Sequence, residues 1–212
     1  MAVSCYEYCM PRGPRPLLAL ASLLLLSLDT SAAEPKKRKP NSGPTFGSPT
    51  PLPGALRGTV YRLPKNTGAL PDFRHLRPVG VLYTTALDYP IKPYGDEWFA
   101  IDYQGAFYIT KPGKYYFRLT SDDGSQLFID GKQIINNDGI HGDQTEEGSL
   151  RLETGSHQLR VAYFQGPVPY ISLVLEVEPP RGKLRVFDTG DFQAPSPAIA
   201  PDDRPTLKRK QQ

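Results

Sequence analysis

Apolar and polar residues alternate along most of the middle of this chain, and the alternation predicts strands. In Tyr115-Tyr116-Phe117-Arg118-Leu119-Thr120, the residues Tyr115, Phe117 and Leu119 fall on one side of an extended backbone, with Tyr116, Arg118 and Thr120 on the other. Leu159, Val161 and Tyr163 share a face within 156–164. Ile171, Leu173, Leu175 and Val177 share one within 170–177, with Ser172, Glu176 and Glu178 opposite. Shorter runs at 59–63, 79–84, 98–103, 106–109, 127–129, 133–135 and 149–152 complete the series, and 181–187 can add one more. No segment sustains an apolar period of 3.6. Many short strands at even spacing predict an all-β fold, an antiparallel two-sheet β-sandwich with disordered N- and C-terminal flanks.

Turn chemistry separates the strands. Asp122-Asp123-Gly124 breaks the first alternating run, and Asp130-Gly131 closes the short run 127–129. An Asp-Gly pair between strands favours a two-residue hairpin, because that turn needs positive φ at both central positions. Two such turns in so few residues gather carboxylates at one end of a sheet.

Composition places the flanks. The chain has 212 residues, 23 of them Pro and 19 Gly, and a net charge of +3. The excess lies outside the strands: 34–53 and 181–212 each carry +3, whereas 54–180 carries −3. A nucleic-acid partner needs a basic folded face, so that class is set aside. Residues 1–33 read as a signal peptide, with Arg12 and Arg15 before an apolar run of about 12 residues and Ser31-Ala32-Ala33 after it. That run is too short to span a bilayer, so no stable membrane insertion is expected once it is removed. Cys5 and Cys9 would leave with it, and the mature chain would fold without disulfides. The organisation is thus 1–33 signal peptide, 34–53 basic Pro-rich linker, 54–180 folded domain, 181–212 Pro-rich basic tail, in a secreted protein.

Chemistry concentrates between Asp122 and Glu147, where seven acids face Lys132 alone. Calcium takes six to eight oxygens from carboxylates, amides and carbonyls, and Asp122 with Asp123 can offer two carboxylates at once. Asn136, Asn137 and Asp138 can add oxygens. The alternative is that these acids are turn residues facing solvent. A helix-loop-helix calcium loop is excluded, because its first and twelfth positions would be Ile134 and Thr145. His141 suits packing in its turn better than ligation, and His157, at the head of a strand, is expected to be exposed. Neither GxSxG nor HExxH occurs, and the mature chain has no cysteine nucleophile, so no enzyme is expected. Loop tyrosines such as Tyr89, Tyr94 and Tyr170 can stack on sugar rings.

The run 116–132, with Trp98-Phe99-Ala100-Ile101-Asp102, Pro112-Gly113-Lys114-Tyr115 and Gly155-Ser156-His157 in order around it, closely resembles the protective-antigen fourteen-kilodalton domain. The resemblance covers roughly 54–180. It implies a β-sandwich module of secreted or surface proteins, often binding carbohydrate. In the family's fungal adhesins, a cis-linked Asp-Asp pair holds calcium, which orients sugar hydroxyls. Asp122 and Asp123 match that pair. The remaining ligands come from a loop before the last strand, here 165–170, with Gln165 where an Asn is expected and Tyr170 on the pocket wall. The function expected is a non-enzymatic carbohydrate-binding module, with Ca2+ at Asp122 and Asp123 and a glycan or cell-surface polysaccharide as partner. The other reading is a structural or protein-interaction domain of the envelope or matrix, with a protein partner and no metal.

Overall fold

The computed structural model describes residues 46–93 and 95–196; the segment expected to be a signal peptide, most of the expected basic linker, Tyr94 and the end of the tail lie outside them. Among the described residues, eleven strands run in order: β1 (Leu56–Arg62), β2 (Pro78–Thr84), β3 (Asp88–Pro93), β4 (Phe99–Ile109), β5 (Gly113–Asp122), β6 (Ser125–Ile129), β7 (Lys132–Asn137), β8 (Gln144–Leu152), β9 (Gly155–Gln165), β10 (Tyr170–Glu178) and β11 (Arg185–Val186). They form two antiparallel sheets. One has the order β2-β1-β4-β9-β6-β7; the other has β11-β10-β5-β8, with β3 also on β10. β3 and β11 share the outer edge of β10, β3 beside 170–174 and β11 beside 176–177.

The faces expected from the alternation are the ones buried. Phe117, Leu119, Val161, Tyr163, Leu173 and Leu175 are closed to solvent between the sheets. Tyr116 is exposed, as its opposite parity requires. Leu127 and Ile129 of β6 enter the same core, so the two turns around them hold a short strand whose apolar side is fully used.

Four features depart from expectation. The break placed at Gln104-Gly105 does not occur: β4 runs eleven residues and pairs with β9 along its whole length, from Phe99 opposite Gln165 to Ile109 opposite Gly155. β3 was hidden by Pro90 and Pro93; a strand with prolines survives here because it lies on an edge. The packed unit extends beyond 54 and 180. Phe46 is buried against Tyr89, Phe99 and Tyr163. Phe187 and Phe192 are buried against Phe107, and Asp188 caps a short 3-10 turn, Thr189–Asp191. That part of the tail is ordered.

Finally, His157 is not exposed. It lies beside the Phe107 ring, with Nδ1 2.7 Å from Asp130 Oδ2 and Nε2 2.9 Å from the Glu153 carbonyl oxygen. Burial alone would disfavour the imidazolium. The hydrogen bonds to Asp130 and Glu153 and the Asp130 charge outweigh it and hold His157 above its ordinary 6.5. Burial likewise pushes Asp130 up, but its bonds from His157 and the Gln158 N–H bring it below 3.8. A raised histidine stabilises the fold below its unfolded value and loses that contribution as pH rises through the folded one. Asp130 is half-exposed, so about 0.5–1 kcal/mol is expected. Melting temperature should therefore fall above pH 6.5 in the parent and less so in His157→Gln, which thermal unfolding across pH checks.

Among the described residues, no helix is long and apolar enough to cross a membrane.

Candidate functional site

One end of the sandwich carries Asp122, Asp123, Gln165 and Tyr170; Asp130, expected in the same acidic cluster, lies at the opposite end of β6 beside His157, because a strand separates the two turns. β5 ends at Asp122, β9 at Gln165, and β10 begins at Tyr170, so the register brings three strand ends and the 165–170 loop to one rim. The Asp122-Asp123 peptide bond is cis, as is Val168-Pro169. Gly124 follows because nothing larger fits: a Cβ there would lie 2.3 Å from the Phe164 ring and 2.8 Å from Gly139 N. Gly166 is held in the same way, with Asp123 Oδ2 at 3.0 Å and the Ile140 side chain at 2.6 Å from where a Cβ would be.

Asp123 is buried and works as a clamp. Its Oδ1 accepts the His141 N–H at 3.1 Å and its Oδ2 accepts the Gly166 N–H at 2.7 Å, tying the loop after β7 to the loop after β9. Burial pushes Asp123 up, and the two backbone N–H groups partly oppose that. Asp122 is 7% exposed. Burial, and then the Asp123 charge, push it up to about 6 from the ordinary 3.8. The rim therefore holds two carboxylates whose charge the surrounding protein compensates incompletely.

Gln165 is fully buried between them and the loop. Its Nε2 lies 2.9 Å from the Tyr170 carbonyl oxygen, 3.4 Å from that of Pro167 and 3.5 Å from Asp123 Oδ2. Its Oε1 lies 2.6 Å from the Tyr163 hydroxyl, which is also 2.7 Å from the Asp122 carbonyl oxygen. A tyrosine hydroxyl has one proton and cannot donate to both acceptors. Turning the amide over removes that conflict, because its N–H then donates to the hydroxyl. The same turn points Oε1 at the two carbonyls and the Asp123 carboxylate, so four oxygens converge. In the first orientation the amide is bonded at both ends, Oε1 accepting from the Tyr163 hydroxyl and Nε2 donating to the Tyr170 carbonyl; in the second, a cation would be needed among the four oxygens.

That donor set suits a hard cation such as calcium: two carboxylates, one amide oxygen and two main-chain carbonyls. Among the described residues, no three His, Cys, Asp or Glu side chains come together as a metal-holding group, so a cation here would depend on the amide and carbonyls as much as on the acids. Exposed apolar side chains stand around the rim: Ile140, Val168 and Tyr170.

Other expected oxygens are elsewhere. Asn137 is buried between the sheets, donating to Ser121 Oγ and the Gln144 carbonyl. Asn136 accepts from Gln126, and Asp138 Oδ1 accepts the N–H groups of Leu70 and Gly139. Alternation alone does not tell which loop residues face the rim; that depends on the path from β7 to β8. His141 packs its own turn, with its ring nitrogens on the Asn137 and Gly142 carbonyls. Its backbone contact with Asp123, and the position of Asp143 on Ser172 next to the rim, had no signal in the sequence.

A family model for the PA14 domain matches residues 83–190, half of the chain. The chain belongs to the PA14 domain family. The match runs from the end of β2 to the 3-10 turn after β11, so this PA14 domain includes the segment that carries Phe187. Similar solved structures include the PA14 domain of the MpAFP antifreeze protein, 19% identical over 66% of this chain and 92% of that one, with a TM-score of 0.55. The PA14 sugar-binding domain from an RTX adhesin is 16% identical over 64% of this chain and 96% of that one, also at 0.55. An anti-sigma factor domain-containing protein from Clostridium clariflavum is 19% identical over 76% of this chain and 52% of that one, at 0.52. These likenesses show the fold. No curated protein matches the chain.

Proposed function

We propose that this PA14 domain is a secreted, non-enzymatic carbohydrate-binding module whose sugar site is the rim formed by Asp122, Asp123, Gln165 and the loop to Tyr170. One observation carries the reading: Asp123 Oδ2 and the carbonyl oxygens of Pro167 and Tyr170 converge on the amide of Gln165, which gathers at one point the kind of oxygens a hard cation takes. Asp122, Asp123, the Gln165 amide oxygen and those carbonyls would hold Ca2+. When bound, the ion supplies positive charge to the two acids and open coordination positions for vicinal hydroxyls. Asp123 fixes the two loops that shape the site through its bonds to the His141 and Gly166 N–H groups. Tyr170, 47% exposed, offers a ring face to the apolar side of a sugar. A sugar-binding relative within the same fold supports the reading.

A second reading has one observation in its favour. Both Asp123 oxygens already accept backbone N–H groups, as in a purely structural clamp, and the exposed Ile140, Val168 and Tyr170 would then meet a protein partner. Calcium separates the two. On the first reading, calcium at a hundred times its Kd adds about 2.7 kcal/mol to stability, visible as a raised melting temperature that chelator reverses. Asp122→Ala should abolish the rise. An unchanged melting temperature in the parent would leave the clamp reading standing.

A further inference from the structure

The outer face of the six-stranded sheet carries a groove away from the rim. Cross-strand register puts Arg160 of β9 between Gln104 of β4 and Phe128 of β6. Beneath them Asp102 is 5% exposed, with Oδ1 accepting Arg160 Nε at 2.6 Å and Oδ2 accepting Gln104 Nε2 at 2.7 Å. The guanidinium carbon lies 5.5 Å from the Phe73 ring centre and 5.2 Å from that of Phe128. The side chain is thus held from behind by a buried acid and at its sides by two rings.

An arginine present only to neutralise Asp102 would be expected to engage both carboxylate oxygens with its fork. Here the second oxygen belongs to Gln104. The two terminal nitrogens of Arg160 make no hydrogen bond among the described residues, and the side chain lines a groove of about 480 Å3. A second hollow of about 320 Å3, over Phe128 and Gln158, shares Gln104 and Arg160 with it. The groove has a built wall. Residues 63–76 fold over a small core of Leu63, Ala100 and Phe164, into which Leu70, Phe73 and Leu76 pack. The Leu70 N–H is tied to Asp138 Oδ1 at 2.7 Å.

We propose that this groove is a second saccharide site, centred on Arg160, which takes a neutral sugar without a metal. The lining sets the chemistry. Asp72, Asp102 and Asp138 face Arg74 and Arg160, so the local charge does not attract an anion. The fixed guanidinium N–H groups suit hydroxyl oxygens, and the amide oxygens of Gln104 and Gln126 suit hydroxyl protons. Phe128 offers a ring for the C–H face of the sugar. Convergent donors and acceptors beside an aromatic wall match a polyol rather than an apolar ligand. The site shares no side chain with the rim, so it stands or falls separately from the calcium reading.

The test is binding of the full chain to an array of neutral oligosaccharides and matched uronate-bearing ones, in excess EDTA. Neutral probes should be retained in EDTA, and retained equally by Asp122→Asn. Phe128→Ala, which leaves the Asp102–Arg160 pair intact, should weaken that binding at least tenfold without removing the calcium response of the rim. Should Phe128→Ala unfold, Gln126→Leu carries the same expectation on a half-buried side chain. Loss of all neutral binding in EDTA would overturn the proposal. So would binding confined to the uronates, or binding unchanged in the folded variants.

Discussion

A chain ending at Pro180 is expected to lose its cooperative unfolding transition. The Pro-rich composition after Pro179 reads as tail, yet Phe187 is fully buried and Phe192 nearly so. Their rings stack 5.1 Å apart, and each meets Phe107 edge-on. The backbone is engaged as well: the Phe187 N–H donates to the Leu175 carbonyl, and the Tyr108 N–H to that of Phe192. Truncating a buried Phe to Ala costs about 3–5 kcal/mol, through lost transfer energy and the cavity left behind. Losing two together with their backbone bonds is comparable with the roughly 5–15 kcal/mol by which a whole domain is stable. Urea unfolding followed by near-ultraviolet circular dichroism reads the result, with Phe187→Ala as the intermediate case, at about 3–5 kcal/mol. A truncated chain that unfolds at the parent's midpoint would show that the segment is an ornament.

The two rim aspartates are expected to respond with opposite signs. Asp123→Ala removes the acceptor of two N–H groups, the buried one of Gly166 and the half-buried one of His141. Each N–H left unsatisfied costs about 1–3 kcal/mol, so a loss of roughly 2–6 kcal/mol is expected with or without calcium. Asp122 is different. Burial and the Asp123 charge push it up to about 6, so its ionised form opposes folding. A carboxyl raised in the folded state binds its proton more tightly there than in the unfolded chain. Stability then falls as pH climbs from 3.8 to about 6 and stays lower above that. In chelator at neutral pH, Asp122→Asn should therefore melt above the parent and show a flatter pH profile. With calcium held as proposed, the order should reverse in its presence, because only the parent would gain from the ion. Equal destabilisation by both substitutions in chelator would contradict this account of the rim.

How much of this could be read from the chain alone follows from what alternation encodes. Parity along a strand is local, so the inward sides of β5, β9 and β10 were legible, and with them the sandwich. Asp122, Asp123, Gln165 and Tyr170 were legible through the resemblance, and the structure brings them to one rim. Edge strands and ends were not. β3 contains Pro90 and Pro93, and its pairing is permitted only by its place beside β10. Phe46, Phe187 and Phe192 sit in Pro- and Gly-rich surroundings that read as linker, and only the tertiary core shows their use. The contact of Arg160 with Asp102 spans 58 residues and depends on the β4–β9 register, which a one-residue slip would abolish. Asn136 and Asn137 resembled ligands because amides in turns do so generally; their strand positions in β7 turn them elsewhere.

The Phe46 ring packs 5.9 Å from that of Tyr163, whose hydroxyl reaches Gln165 and the Asp122 carbonyl, while Phe192 sits with Phe107 toward the opposite end of the β4–β9 ladder. The two routes by which the polypeptide joins the sandwich are therefore mechanically unequal. Tension arriving ahead of Phe46 is delivered to the floor of the rim and pulls on the tyrosine that orients the amide. Tension arriving beyond Phe192 is spent on a clasp of phenylalanines at the far end, away from the rim.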